Sequence, residues 1–140
     1  MERKILTNCP VSCFADEIDP SVDKQTALLK ELGIGWIEFR SGDGKGVADY
    51  TEKEAEALMR RLSADGIRIS AVGSPIGKID ITADFAPHFE IYRHVVELAG
   101  IWDTSFIRMF SFFIPQGQEP GSFRDEVMRC LLYTSDAADD

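Results

Sequence analysis

The chain has 140 residues, 44% hydrophobic and 28% charged, which suits one globular domain with a sizeable core and is too short for two ordinary ones. Its 24 acidic residues against 15 basic ones give a formal charge of -9, with no Lys or Arg stripe to track a phosphate backbone, so nucleic acid is excluded as an expected partner. No apolar run nears the roughly 18 residues that span a bilayer, and the opening residues 1–9 lack the apolar centre of a signal peptide, so no membrane partner and a cytoplasmic setting are expected.

In chain order, a first strand is predicted over residues 11–18, followed by Asp19 as a helix cap and Pro20 in the first helical turn. The helix then runs to about Leu32, burying Val22, Gln25 or Thr26, Leu29 and Leu32 at intervals of three or four, and ends at Gly33. A second strand covers residues 35–40. The loop at 41–50 carries three glycines and is expected to be irregular and loosely packed, with Tyr50 a candidate to lie over the mouth of the domain. Thr51 and Glu54 form a capping box for a second helix that buries Ala55, Leu58 and Leu62 and ends near Gly66. A third strand is predicted at 67–73. The third helix begins around Asp84, has Pro87 in its first turn, lines up Phe85, Phe89, Tyr92, Val96 and Ala99, and stops at Gly100. A fourth strand covers 104–110, with an extension towards Phe113, and Ser122 with Asp125 caps a fourth helix.

The strands start near residues 11, 35, 67 and 104. An eight-unit barrel of about 250 residues averages about 31 per unit, so this spacing predicts an α/β fold, the N-terminal half of a (β/α)8 TIM barrel with about four β/α units. Parallel strands joined by right-handed crossovers follow from the alternation. A doubly wound sheet is the main competitor, but the first βα turn lacks G-x-G-x-x-G and no Walker loop occurs.

The last eleven residues, 130–140, resemble the translation of a transposon-end adaptor used in short-read DNA library preparation. They are therefore set apart: 1–129 as a partial barrel, 130–140 as a non-native tail with little to bury. Cys9, Cys13 and Cys130 are too few and too irregularly spaced for a disulfide framework and are expected as ordinary thiols.

In a parallel β/α domain, ligands bind beyond the carboxyl ends of the strands, where loops and helix amino termini converge. That rule selects Asp16 and Glu17 after the first strand, Glu38 and Arg40 at the second, Ser74 and Lys78 after the third, and Arg108 and Ser111 at the fourth. Glu38 alternates with Ile37 and Phe39, so it faces the active-site cavity, pairs with a neighbouring arginine or is exposed at the rim. Arg40 and Arg108 can clamp an oxyanion, or serve as counter-ions to Glu38 and Glu17. Lys78 follows two glycines and either reaches an anion or faces solvent. His88 and His94, six apart on the third helix, are expected to be solvated or packing residues away from the strand ends. Trp36 and Trp102 are expected to pack on the opposite, amino-terminal side.

The segments FADEI at 14–18, GWIEFR at 35–40, GSPIGK at 73–78 and IRMFSF at 107–112 together resemble the sugar phosphate isomerase/epimerase family, whose members have a xylose-isomerase-like TIM barrel. The likeness covers about residues 10–129. It implies a divalent metal (Mn, Zn or Mg) held by carboxylates and a histidine on strands five to eight, with paired glutamates moving a proton between adjacent carbons. Those strands lie outside the four units seen here, so the catalytic residues are unknown and no complete metal site is expected in this chain. Glu38 matches the family's second-strand glutamate only as a cavity-lining position, and Arg108 with Ser111 matches the fourth-strand substrate region. Glu38, Arg40, Lys78, Arg108 and Ser111 are the expected contacts to a small sugar or sugar phosphate. The related zinc-dependent apurinic endonucleases use histidines after the second and third strands, which this chain lacks.

The resemblance implies isomerisation or epimerisation for the full-length protein. A metal-dependent hydrolase or lyase, a non-catalytic sugar-binding domain and an inactive fragment are the alternatives. Four open barrel units expose two strand edges, so poor solubility or a molten or self-associated state is expected; the natural oligomeric state is not legible in the sequence.

Overall fold

The computed structural model describes residues 9–138, with side chains over 9–136. In chain order it carries β1 (Ser12–Cys13), α1 (Val22–Leu32), β2 (Trp36–Phe39), the short strands β3 (Ser41–Gly42) and β4 (Lys45–Gly46), α2 (Glu52–Ala64), β5 (Arg68–Gly73), α3 (Phe85–Ile101), β6 (Ile107–Arg108) and α4 (Arg124–Ala138). The main sheet has the order β1-β2-β5-β6, all parallel. Each new strand is added on the same side as the last. A doubly wound sheet reverses direction at a switch point, whereas this one advances steadily, as a barrel wall does. The fold is therefore α/β, four β/α units making half of a (β/α)8 barrel.

Alternation divides the sheet into two faces. Ile37 and Phe39 of β2 and Ile69 and Val72 of β5 turn towards the helices, where they meet Leu29 of α1, Leu58 and Leu62 of α2, and Val95 and Leu98 of α3 in one buried cluster. Phe39, Tyr50 and Trp102 pack edge to face there, with centroids 5.4–6.0 Å apart. The other face is polar. Ser12 and Ser70 hydroxyls are 2.6 Å apart, and Ser70 also donates to the Ile37 carbonyl at 3.0 Å.

Several expectations need correction. The first strand is only two residues long, because residues Ala15–Glu17 close a 3-10 turn in which Ile18 N–H donates to the Ala15 carbonyl. Asp19 and Pro20 precede α1: Asp19 accepts from Ser21 N–H, while the free amide of Val22 is capped from across the chain by Asp43. Leu32 is 59% exposed, but Val22, Gln25, Thr26 and Leu29 are buried as predicted, and Gly33 ends the helix in the left-handed region at φ 69°.

The 41–50 loop is not loose. Asp43 and Gly44, both at positive φ, make a tight hairpin turn between β3 and β4. At Gly42 a Cβ would sit 2.4 Å from Val22 Cγ2, so only glycine lets the hairpin lie on α1. Arg61 of α2 stitches the hairpin down, donating to Asp43 at 2.6 Å and to Asp23 of α1 at 2.7 Å. Tyr50 is buried on the helix side, its hydroxyl donating to the Gly42 carbonyl at 2.8 Å, and so does not cover the mouth.

The capping box at Thr51 and Glu54 forms as expected, and Ala55, Leu58 and Leu62 are buried. α3 runs through Gly100 to Ile101, and Val95 rather than Val96 is fully buried. The fourth strand is two residues long, although a single parallel bridge joins Asp80 to Phe113 further on. α4 continues unbroken past residue 130. Cys130 is 1% exposed, packed with Ile81 and Phe112, and Thr134 is buried as well, so this part of the tail buries more than its composition promised. Residues 139 and 140 lie outside the described residues.

Candidate functional site

The carboxyl ends of the four parallel strands place a layered set of charged and aromatic side chains on the polar face. Glu38 leaves β2 opposite to Ile37 and Phe39, and Arg108 ends β6, with β5 between them. They still meet: Arg108 Nε donates to Glu38 Oε1 at 2.5 Å. The crossing passes over Gly73 at the end of β5. A Cβ there would lie 3.1 Å from Arg108 Nη2, 3.2 Å from Arg40 Cβ and 3.3 Å from Glu38 Oε1. The glycine thus gives the guanidinium its route across the sheet.

Glu38 and Arg108 side chains keep 22% and 32% of their surface exposed. The bond uses Nε, which leaves Arg108's outer guanidinium nitrogens as donors for an incoming oxygen. Glu38 thus lies on the polar face and pairs with an arginine.

Arg40, the residue after β2, is held from the first unit. Its Nε donates to Asp16 Oδ2 at 2.7 Å and its Nη2 to Glu17 Oε1 at 3.2 Å. The bond to Asp16, supported by Glu17, raises the Arg40 pKa above its ordinary value, so the group is a fixed cation. Ser41 Oγ also donates to Asp16 Oδ2, at 3.0 Å, while Asp16 Oδ1 is buried with no protein partner. The 3-10 turn that shortened β1 is what delivers Asp16 to this position.

Two aromatic rings floor the cations. The Arg40 and Arg108 guanidinium carbons lie 4.8 and 5.4 Å from the Phe14 centroid. Arg108 and the Lys78 ammonium lie 5.0 and 4.6 Å from the Phe110 centroid.

The loop carrying Lys78 is firmly seated. Ser74 Oγ donates to the Arg108 carbonyl at 2.6 Å, and Phe110 N–H donates to the Ile76 carbonyl at 2.8 Å. Gly77 N–H donates to His88 Nε2 at 2.8 Å. Phe112, opposite, has φ 72°, a strained conformation for a bulky residue that is held by its burial against Ile81 and Cys130.

Of the sequence-selected residues, Glu38 and Arg108 are in direct contact, Arg40 sits beside them on the acids of the first unit, and Lys78 shares the Phe110 ring with Arg108. Ser111 is exposed and joins none of these contacts. Reading the strand tips alone missed Phe14, Gly73, Phe110 and His88. The sequence puts His88 away from the strand ends; instead, in the first turn of α3, it lies against the loop that leads into that helix. Its position four residues after the Asp84 cap was the available signal.

His94 does pack, its Nε2 lying 2.8 Å from the Tyr50 carbonyl. Trp102 is buried, its indole N–H donating to the Ala55 carbonyl at 3.1 Å. Trp36 is half-buried at the other end of the strands, 5.6 Å from the Arg68 guanidinium.

Among solved structures, the chain superimposes on the crystal structure of a xylose isomerase domain protein from Planctomyces limnophilus with a TM-score of 0.65, covering 93% of this chain and 50% of that one at 16% identity. The two share a fold. The chain spans about half the length of that structure, and at this identity the likeness speaks for the fold alone. No family model and no curated protein matches the sequence.

The residues present do not fit the divalent metal implied by the sequence resemblance. Asp16, Glu17 and Glu38 are each engaged by a guanidinium, and among the described residues no three His, Cys, Asp or Glu side chains gather as a ligand set. What this half of a barrel offers is binding chemistry: directional donors, fixed charges and two ring faces.

Proposed function

We propose that these strand tips form the substrate-orienting half of the mouth of a sugar isomerase or epimerase acting on a small sugar or sugar phosphate. The observation that carries this reading is the Glu38–Arg108 pair across Gly73, at the end of the strands where β/α barrels bind their ligands. Arg108 supplies guanidinium donors to a substrate oxygen, and Glu38 holds that guanidinium while offering an acceptor to a hydroxyl. Lys78 adds positive charge at the rim for an anionic substituent, Arg40, its charge offset by Asp16 and Glu17, offers guanidinium N–H donors, and Ser111 offers a hydroxyl from the loop beyond β6. The proton transfer itself belongs to residues outside these four units, and the metal expected for the full-length protein would be held there too. The activity is therefore proposed for a protein with all eight units, and binding alone for this chain.

Nuclear magnetic resonance titration of the chain with D-ribose and with D-ribose 5-phosphate tests the reading. Binding should move the Gly73 amide and Arg108 Nε signals, and Arg108→Met should weaken it by about tenfold or more, the worth of one charge-assisted hydrogen bond. Titrations in which neither sugar moves those signals, or in which Arg108→Met binds as well as the unaltered chain, would refute it.

A further inference from the structure

We infer that His88 is a positioning residue for the mouth, acting through the Gly73–Lys78 loop. The inference rests on the reading of Lys78 as a substrate contact. His88 is 7% exposed, and its Nε2 accepts the Gly77 amide at 2.8 Å. A backbone N–H can donate only to an unprotonated ring nitrogen, so the neutral tautomer with its proton on Nδ1 is the one in place. Burial lowers the His88 pKa, in agreement with that form.

Gly77 is the residue immediately before Lys78, so the latch fixes the backbone from which the lysine projects. The geometry leaves the loop little room on its other side. Gly77 has φ 81°, and a Cβ there would come within 1.8 Å of the Phe110 carbonyl oxygen. Phe110 is also the residue whose ring carries the Lys78 ammonium at 4.6 Å. His88 from α3 and the Phe110 backbone therefore grip the same glycine from two directions. Without the imidazole acceptor, the Gly77 amide would be a buried donor lacking its partner, and the loop would have to move to hydrate it. Lys78 would leave the Phe110 ring as a result.

The Lys78 ε-methylene protons report this directly, because a nearby aromatic face shifts them upfield. In isotopically labelled protein, His88→Gln keeps an acceptor near the Nε2 position and should retain the upfield shift. His88→Leu should lose it while the Phe39 and Trp102 ring signals stay native. The His88→Leu chain should bind D-ribose 5-phosphate about tenfold more weakly, with His88→Gln restoring most of the loss. An upfield shift that survives in a folded His88→Leu chain overturns the inference, as does unchanged sugar affinity in that variant. If His88→Leu does not fold, the unaltered chain decides: at about pH 7.5, above the ordinary imidazole pKa of about 6.5, the His88 Nε2 must show the nitrogen shift of an unprotonated acceptor coupled to the Gly77 amide, and a protonated Nε2 overturns the inference. Failure of the unaltered chain to bind either sugar would instead refute the proposed function, leaving the ring-current result to judge the latch.

Discussion

Gly77→Ala should destabilise the chain far more than Gly44→Ala, although the two glycines have nearly the same backbone torsion, φ 81° and 79°. Placing an L-residue in the left-handed region costs about 1–2 kcal/mol in either case. At Gly44 nothing lies within 4 Å of the new methyl group, so that is the whole expected cost. At Gly77 the methyl would lie 1.8 Å from the Phe110 oxygen, a separation no backbone tolerates, and the loop must part from residues 110–113. That movement endangers the Phe110–Ile76 and Gly77–His88 hydrogen bonds, each worth about 1 kcal/mol net. The expected loss at Gly77 is therefore about 3–4 kcal/mol. Urea unfolding followed by Trp fluorescence measures both variants against the same parent, the shift in midpoint scaling with the loss at an unchanged slope. Equal losses to within about 0.5 kcal/mol would refute the close approach of the loop to the β6 extension, and with it the account of how Lys78 is held.

Tyr50→Phe should cost about 1 kcal/mol through loss of the buried bond to the Gly42 carbonyl. Burial first, and then the Asp43 charge, push the Tyr50 pKa up to about 12; its stabilising contribution is full below the ordinary value near 10 and is lost as pH rises through 12, so phenolate absorbance should show a late-titrating component that vanishes in Tyr50→Phe. Thr51→Ala removes the α2 cap and should cost about 1 kcal/mol, measurable by thermal unfolding, whereas a neutral result would refute the capping box. Among the described residues the edge strands β1 and β6 each have one neighbour, and Phe106 beside β6 is 70% exposed. Light scattering should accordingly give a mass above the 15.6 kDa of the single chain. A 15.6 kDa species with slow amide exchange in all four strands would contradict this.

Much of the fold was legible because local signals and burial agreed. The Thr51–Glu54 box, the Leu58 and Leu62 stripe, the αL glycine at 33 and the apolar alternation of Ile37 and Phe39 all act within a few residues, and each is found where the pattern puts it. The hairpin at 41–46 was also written in the sequence: Asp43-Gly44 is the dipeptide that a two-residue turn with both torsions positive requires. Counting the three glycines of that loop as looseness overlooked it. The first strand was drawn too long because FADEI alternates poorly, and its polar residues belong to a turn. The tail at 130–138 shows the opposite effect, since Cys130 finds burial only because Ile81 and Phe112 meet it from distant parts of the chain.

The sequence by itself determined the succession of four β/α units and the set of polar residues at the strand ends, because periodicity, caps and crossover length are properties of neighbouring residues. Tertiary structure alone decided who meets whom. Arg108 reaches Glu38 only because Gly73, thirty-five residues earlier in the chain, leaves the space above β5 empty. Likewise His88 accepts the Gly77 amide because the start of α3 returns against the loop that precedes it. Such pairings depend on strand order and on the absence of a side chain, and neither is encoded at the position whose role it fixes.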